Sequence, residues 1–270
     1  MSADENGEQE FVSWQPSMLP DNAQVWRYID FTQLVSIMER EALWFNRTDK
    51  FDDSFEGSFT RTNVTTRKSR YEDTEIPEHA LEEMSEAFRR HRKSSYVSCW
   101  HANPYESAAM WSQYSMAGQG IAIQSTVGKL VNSITEKEGV YANHREKPED
   151  SDKIDKIVMF GKVMYIDYDR HLIPENNLYA PIFHKRLSFK HEQEFRAVVS
   201  KFSEMLSEDN NSEELPPGMY IDIDVRELID KIYISPTAPD WFAELVEQVR
   251  EKYGLDCGVK KSRLDDDPVF

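Results

Sequence analysis

The sequence is poor in cysteine and has no long apolar run. Its 270 residues include only two cysteines, Cys99 and Cys257, which are too few for a framework of disulfides. We therefore predict free thiols and a reducing compartment. No apolar run approaches the roughly 18 residues of a membrane-spanning helix. The N-terminal segment 1–10 is acidic, unlike the start of a signal peptide. These features predict a cytoplasmic protein without a membrane partner.

Basic residues are in the minority. Lys and Arg number 32 against 49 Asp and Glu, which gives a formal net charge of −17. Such a surface repels phosphate backbones, so the composition argues against generic binding of nucleic acid, although a local basic patch can override it. One basic run, Arg89–Lys93, ends a predicted helix over residues 75–93. This run is either such a patch or a set of cations that complements the helix dipole.

The common short motifs of catalysis are also missing. There is no Cys/His spacing for zinc, no H-E-x-x-H, no G-x-x-x-x-G-K-[ST], no G-x-G-x-x-G and no G-x-S-x-G. A site must therefore be assembled from dispersed residues, and we expect no metal. The acids Asp52, Asp53 and Glu56 are the remaining candidates for holding magnesium, with a capped turn as the alternative.

What the sequence does contain is a dense group of aromatic, hydroxyl and thiol side chains over residues 94–126. The composition predicts a buried strand over Tyr96–Trp100, a short helix over Glu106–Ser115 and a second strand from Ile121. We interpret this stretch as the centre of the core and as one wall of a site.

Short strands mixed with helices, without regular βαβ alternation, predict an α+β fold with mixed, mostly antiparallel sheets and flanking helices. We expect a flexible acidic tail over residues 1–21, in which Phe11, Val12 and Trp14 can dock as a short arm. A single domain follows over residues 22–270, with mobile loops near 142–156 and 203–217. Residues 58–72 show no apolar period. Residues 180–189 are predicted to be helical.

Two groups of candidate site residues lie in the first half of the chain. Arg27 and Tyr28 belong to a predicted strand over residues 24–29. A buried arginine there requires an anionic partner, whereas on an edge strand it would face water. Ser98 lies on the central strand, and Trp111 and Tyr114 lie on the helix after it. Core packing is the alternative role for the tryptophans.

The third group is Glu192, Glu194 and Arg196. On an extended stretch, residues two apart share one face. Two glutamates and an arginine on one face are costly to bury unless they pair with each other or with a ligand. The alternative is a surface ion pair with Arg196.

Several motifs together resemble a family of bacterial, archaeal and phage proteins, the domain of unknown function 2971. In order they are W-R-Y, A-L-W-F-N with K-F-D-D-S-F-E-G, S-C-W, M-W-S-Q-Y with G-I-A-I, and F-K-H-E-Q-E-F-R. The resemblance covers the chain from about Val25 to Ser200. Ser54 stands where the family usually has proline, and Phe189 lies near a position that is often tryptophan. The resemblance supports the choice of residues more than a reaction.

The arrangement is also similar to that of ADP-ribosyltransferases of the arginine–serine–glutamate type. This resemblance implies that Arg27 binds the phosphate or ribose of NAD and that Ser98 braces the nicotinamide region. Glu194, with Glu192 as a second acid, would stabilise an oxocarbenium-like transition state. The other cofactor-binding candidates are Tyr28, Trp111, Tyr114 and Arg196. The assignment requires Arg27, Ser98 and Glu194 to line one cleft.

The function that this resemblance implies is an NAD-consuming transferase or glycohydrolase, acting as a toxin or phage-defence effector. NAD is its substrate, and its acceptor is unidentified. Two alternatives stay open. One is a non-catalytic module that holds a nucleotide or peptide around Trp100 and Trp111. The other is a metal-dependent nuclease that uses Asp52, Asp53 and Glu56.

Overall fold

The computed structural model describes residues 14–72, 76–114, 118–135, 140–142, 156–201 and 215–269. These residues form a mixed, mostly antiparallel sheet with helices packed against it, which confirms the predicted α+β class. The predicted mobile loops near 142–156 and 203–217 fall almost entirely outside the described residues. Within the described residues, none of the helices combines the length and apolar character needed to span a membrane.

Within the described residues, the large sheet has ten strands. They are β1 Gln24–Asp30, β2 Ala42–Arg47, β3 Ser95–Ala102, β4 Gly120–Thr126, β5 Val140–Ala142, β6 Lys156–Lys162, β9 Glu194–Ser200, β10 Gly218–Asp222, β11 Lys231–Ile234 and β12 Gly258–Lys261. Eight of them follow the order β12-β11-β4-β1-β3-β9-β6-β5, and β2 pairs with both β3 and β10. A second, two-stranded sheet pairs β7 Met164–Ile166 with β8 His184–Arg186.

The helices lie between these strands along the chain. They are α1 Phe31–Arg40, α2 Arg61–Arg70, α3 Glu78–Lys93, α4 Ala108–Tyr114, α5 Val127–Thr135, α6 Val225–Leu228 and α7 Asp240–Lys252. Short 3-10 helices span Thr48–Lys50, Ala180–Phe183 and Leu187–Glu192. Local sequence explains the start of α1, because Asp30 and Gln33 form a reciprocal capping box.

The main core lies on one face of the large sheet, beneath α1, α5 and α7. Leu34, Leu130 and Phe242 from these helices are almost fully buried against Ile123 of β4 and Phe195 of β9. Each such side chain contributes about 1.5–3 kcal/mol through burial. The core therefore holds β1, β3, β4 and β9 in fixed register, and their other face is free to build a site.

Two stretches differ from what their local patterns indicate. Residues 58–72, for which no element was predicted, contain helix α2; its polar residues give no apolar period, and the helix begins after the Thr60 cap. Residues 180–189 do not form one helix, because strand β8 separates the 3-10 helix Ala180–Phe183 from the 3-10 helix Leu187–Glu192. Of the predicted tail, residues 14–21 are described: Trp14 packs against Phe183, as expected for a docked arm, and the Ser17 carbonyl accepts a hydrogen bond from the backbone N–H of Lys162.

Candidate functional site

A cavity of about 180 Å³ opens on the face of β1, β3 and β9 that is opposite the main core. Its aromatic lining is Trp26, Tyr28, Phe51, Trp100, Tyr114 and Phe189. Its polar lining is Asp52, Asp53, Glu56, Cys99, His101, Gln113, Lys185, Glu192 and Glu194. The cavity thus combines flat apolar walls with a floor rich in carboxylates.

Strand register brings the floor together. Trp26 of β1 lies opposite His101 of β3, and His101 lies opposite Glu194 of β9. Cys99 lies opposite Arg196 in the same way. Because side chains directly opposite each other share a face of the sheet, the alternation along each strand places all five on the cavity side.

Glu192 reaches the same place by a different route. It ends the 3-10 helix Leu187–Glu192, and Gln193 then adopts a left-handed conformation with φ of 42° before β9 begins. The prediction that residues 192 to 196 form one extended stretch is therefore wrong for Glu192. Only Glu194 and Arg196 share a strand face.

The floor of the cavity is a buried cluster of two cations and three carboxylates, formed by Lys185, Arg196, Glu56, Glu192 and Glu194. Lys185 Nζ donates to Glu194 Oε1 at 2.7 Å and also to Glu192, and it lies 3.5 Å from Glu56. Arg196 donates to Glu194 Oε2 at 2.6 Å and to Glu56 Oε1 at 2.5 Å. Formal charges sum to −1 when all three acids are ionised, so the floor favours a cationic ligand group.

The two glutamates titrate differently. Burial, together with the hydrogen bond and charge of Glu194, raises the pKa of Glu192 to about 7. Burial would also raise the pKa of Glu194, but Arg196, Glu192 and Lys185 outweigh it and hold that pKa well below its usual range. Two neighbouring carboxylates of unequal pKa can divide the roles of proton acceptor and fixed negative charge.

His101 is a further polar group of the cavity, and it is only 3% exposed. Its Nδ1 lies 2.7 Å from the backbone carbonyl of Glu192, so we assign the proton to Nδ1. Burial lowers the pKa of His101, which favours the neutral ring. Nε2 has no hydrogen-bond partner within the described residues. It therefore offers a lone pair to a ligand N–H or O–H group.

Two tyrosines form an aromatic wall above this floor. The rings of Tyr28 and Tyr114 are stacked with centroids 6.5 Å apart, and Tyr114 is 41% exposed. The Tyr28 hydroxyl accepts a hydrogen bond from the backbone N–H of Ser107 at 2.7 Å, which fixes its position. On the other side, Lys185 Nζ lies 4.8 Å from the ring centroid of Phe189.

Arg27 and Ser98 are brought together, but not in this cavity. Arg27 donates to the Ser98 hydroxyl and to the Trp44 carbonyl, the latter at 3.1 Å. It lies opposite Ile123 on the core side of β1 and lines a separate cavity with Trp44 and other residues. Arg27, Ser98 and Glu194 therefore do not line one cleft as the assignment requires.

Among the described residues, Arg27 has neither the anionic partner expected of a buried arginine nor the solvent exposure expected on an edge strand. Strand β1 is paired on both sides, by β3 and β4, so the edge-strand alternative is wrong. Arg27 is mostly buried, and the groups that contact it are a hydroxyl, a carbonyl and the Trp100 ring at 5.7 Å. Burial lowers its pKa. These contacts satisfy hydrogen bonds but provide no formal negative charge.

The remaining candidates lie at the margin of the cavity or outside it. Trp111 is 3% exposed, packs edge-on against Tyr28 and donates to Glu106 at 2.8 Å, so it supports the wall from behind. Arg196 is fully buried beneath the cavity, and its contacts with Glu56 and Glu194 rule out the surface ion pair.

The proposed magnesium ligands have other partners. Asp53 pairs with Arg186 at 2.7 Å, and Glu56 pairs with Arg196. Within the described ranges, no cluster of three or more His, Cys, Asp or Glu side chains is arranged to hold a metal ion. The nuclease alternative therefore has no support from this loop.

Sequence reasoning missed Lys185 and His101. Lys185 lay in a stretch predicted to be helical, where a lysine suggests a solvated face. His101 followed a strand predicted to end at Trp100, whereas β3 runs to Ala102. The sequence Cys99, Trp100, His101 could have indicated that His101 belongs to the site, since Cys99 and His101 share a face if the strand continues.

Comparison with known proteins gives a family match over part of the chain. Residues 110–197 match the family described as "Protein of unknown function (DUF2971)". This match confirms the resemblance for that segment, which is less than half of the chain. It includes Tyr114, Lys185 and both glutamates of the cavity.

A solved structure, "Thermus sp. 2.9 DarT in complex with ADP-ribosylated ssDNA", matches with 8% sequence identity. The match covers 92% of this chain and 98% of that chain with a TM-score of 0.37. A likeness at this level carries no argument about this protein. No curated protein matches the chain.

Proposed function

We propose that the cavity binds NAD and catalyses transfer of its ADP-ribosyl group to an acceptor or to water. The observation that carries this proposal is the pair Glu192 and Glu194, whose pKa values are moved in opposite directions on the floor of an aromatic cavity. Most glycoside hydrolases cleave a glycosidic bond through a cationic transition state with one fixed carboxylate and one carboxylate that exchanges a proton. Nicotinamide leaves without a proton, so the second carboxylate would serve the acceptor.

The charges of the cavity suit the nicotinamide end of NAD. The nicotinamide ring is cationic until its bond to ribose breaks, and a flat cation is favoured beside aromatic rings such as Tyr114 and Phe189. The net charge of −1 on the floor adds to this attraction. The neutral His101 ring can accept a hydrogen bond from the carboxamide or from a ribose hydroxyl.

In the proposed reaction, the bond between ribose C1′ and the nicotinamide nitrogen breaks, and its electron pair leaves with nicotinamide. Glu194 stabilises the positive charge that develops at C1′ and the ring oxygen. The acceptor then forms a bond to C1′, and its proton passes to ionised Glu192. The products are nicotinamide, the ADP-ribosylated acceptor and one proton, which balances the charge of NAD.

The proposal departs from the arginine–serine–glutamate assignment, because Arg27 lines a different cavity, where it donates to the Ser98 hydroxyl. The proposed chemistry depends on Glu192 and Glu194 instead, and a role of Arg27 and Ser98 in binding the cofactor stays a prediction. A role as a toxin or phage-defence effector and a cytoplasmic location belong to the same proposal. Both rest on the family resemblance and on composition.

The non-catalytic alternative finds less support. It requires Trp100 and Trp111 to contact a ligand, but they are 1% and 3% exposed. Their indole N–H groups donate to Ser98 and Glu106 within the protein. Both tryptophans therefore pack mainly in the interior of the protein, which is the alternative role given for them in the sequence analysis.

The test measures nicotinamide release from NAD and compares two buried carboxylates. Glu194→Gln is expected to reduce turnover at least about 100-fold, because it removes the charge facing C1′. Glu175→Gln is the matched control. Glu175 is equally buried and pairs with Arg67 and Arg70 outside the cavity.

Both variants should lose stability, because each leaves buried arginines with one partner fewer. Only Glu194→Gln should lose turnover when both are assayed below their unfolding temperatures. The proposal is wrong if the wild-type protein neither binds NAD in calorimetry nor releases nicotinamide. It is also wrong if Glu194→Gln retains turnover like that of the control.

A further inference from the structure

A local reversal of charge stands out on this acidic protein. Segments 61–70 and 89–93 together carry eight Lys and Arg residues and no Asp or Glu. They form helix α2 and the end of helix α3, which pack against each other. The rest of the chain is therefore even more acidic than the net charge of −17 indicates.

A groove of about 280 Å³ lies between these two helices. It is lined by Phe59, Val64, Arg67, Phe88, Arg89 and Arg92, together with small residues. The rings of Phe59 and Phe88 meet edge to face with centroids 4.4 Å apart. Val64 and the Arg89 side chain are 63% and 70% exposed. The groove thus combines aromatic carbon with guanidinium groups that solvent reaches.

The existing partners of these arginines neutralise only part of their charge. Arg67 shares Glu175 with Arg70, so one carboxylate faces two cations. Arg92 donates to the backbone carbonyls of Ser54 and Glu56, which carry no formal charge. Arg89 pairs with Glu86 on the exposed surface, where such a pair contributes little. The groove therefore keeps a net positive potential.

The helix dipole explains only where along each helix the bases lie. Lys and Arg in the last turns of α2 and α3 complement the dipole. The dipole does not explain why Arg67, Arg89 and Arg92 from the two helices line one groove together with two phenylalanines. Cations beside partly exposed aromatic rings can hold phosphates and unstacked bases at once.

We propose that the groove between α2 and α3 binds single-stranded nucleic acid. Arg89 and Arg92 contact phosphates, and bases pack against Phe88 and the planes of the guanidinium groups. A duplex is disfavoured, because its bases are stacked inside and its dense phosphates meet the acidic remainder of the surface. This binding goes beyond the proposed NAD chemistry and does not depend on it.

The groove lies next to the cavity of the candidate site. The loop 51–59 separates them, with Asp53 and Glu56 lining the cavity and Phe59 lining the groove. Arg92 holds this loop through the carbonyls of Ser54 and Glu56. A strand in the groove would therefore have one segment beside the cavity.

The experiment measures fluorescence anisotropy of labelled 12-nucleotide DNA and RNA strands of one sequence, and of the DNA duplex, at low and moderate salt. Val64→Glu/Arg89→Glu places negative charge at two exposed positions of the groove and should weaken binding of single strands at least about 10-fold. Lys260→Glu/Val269→Glu is the control. It makes the same charge change at exposed positions elsewhere and should bind within about 2-fold of wild type.

A second variant tests the aromatic contribution. Phe88→Leu keeps the groove apolar but removes the ring, and it should weaken binding about 5-fold with an unchanged salt dependence. Comparison of the DNA and RNA strands then shows whether the 2′-hydroxyl is read.

Four results would overturn the proposal: no binding of single strands at low salt, equal weakening in the control variant, duplex binding as tight as strand binding, or displacement of the strand by an acidic peptide of equal charge. NAD turnover without oligonucleotide is measured in parallel. It should be unchanged by Val64→Glu/Arg89→Glu, so failure of this proposal and failure of the proposed function can be told apart.

Discussion

Strands β3 and β9 have two faces that differ in charge where they pass the cavity, although Val97 and Val198 keep the cavity-side face apolar at the far end of the strands. On one face, Trp100, Phe195 and Ala197 pack into the main core. On the other, Cys99, His101, Glu194 and Arg196 lie side by side at the cavity. The difference shows that one pair of strands can supply both the stabilising burial and the charged floor of a site, because side chains alternate between faces.

The two faces also tolerate change differently. The apolar face gains stability from area removed from water, so it loses stability in proportion to the carbon removed. The charged face is held by a network in which each ion compensates others. Removal of one partner leaves an uncompensated buried charge. Substitutions on the charged face should therefore lower the free energy of unfolding more than substitutions on the apolar face.

The largest expected effect is that of Arg196→Met. The substitution leaves Glu56 and Glu194 facing each other with only Lys185 to compensate them, and it should lower the free energy of unfolding by about 3–5 kcal/mol. Urea denaturation measures the change. Arg263→Met is the control, because the Arg263–Asp266 pair is exposed and should leave the urea midpoint unchanged. Equal midpoints for the two variants would remove the distinction between the faces.

The next effect concerns pH. Because the pKa of Glu192 is raised to about 7, the rate of NAD turnover should rise with pH and level off above about 7, where Glu192 is ionised and can accept the acceptor's proton. Glu192→Gln should abolish this rise and lower the plateau about 100-fold. Asp52→Asn, at the exposed margin of the same cavity, should keep the wild-type profile. An unchanged pH profile in Glu192→Gln would exclude the assigned role.

The raised pKa of Glu192 also makes the free energy of unfolding depend on pH. A raised pKa means that the folded protein holds the proton more tightly than the unfolded chain does. The contribution of Glu192 to stability is therefore full below about 4.5 and is lost as the pH rises through about 7. Urea midpoints of wild type and Glu192→Gln should diverge over this window.

The smallest effect is expected on the apolar face. Ile123→Val removes one methylene from a fully buried position of β4 and should lower the free energy of unfolding by about 0.5–1.5 kcal/mol. NAD turnover should stay within about 2-fold of wild type, because the core holds the strands at many other contacts. A large rise in KM would instead show that the two faces are coupled through strand positions.

Much of the fold follows from local patterns. Alternation and β-branched composition predict β1, β3 and β9, and the apolar stripe of residues 239–253 predicts α7. Helix α2 escaped prediction because its ten residues have no apolar stripe. It is held by the Thr60 cap, by packing against α3, and by polar contacts of Asn63 and Arg67 with residues 173–175.

The candidate site was predictable only in part. The two glutamates and Tyr114 were recognisable as polar or aromatic residues on short elements near predicted strands. Their relation to His101 was not, because that contact joins segments that are far apart in sequence. Lys185 is close to both glutamates in sequence, but it was missed because its stretch was predicted to be helical, whereas strand β8 and the 3-10 helix Leu187–Glu192 turn its side chain towards them. The assignment of Arg27 to the same cleft failed because strand order alone does not tell which face each residue takes.

The sequence by itself determines the α+β class, the main strands and the list of residues able to do chemistry, because propensity and alternation act over a few neighbouring positions. The tertiary structure alone decides which of these residues meet. It places Arg27 and Ser98 on the core side and Glu192 and Glu194 on the cavity side, because the register of β1, β3 and β9 assigns each alternate residue to one face. It also gives the two glutamates unequal pKa values, because folding buries both of them and brings Lys185 of β8 to Glu194, beside Arg196, which already shares a strand face with Glu194.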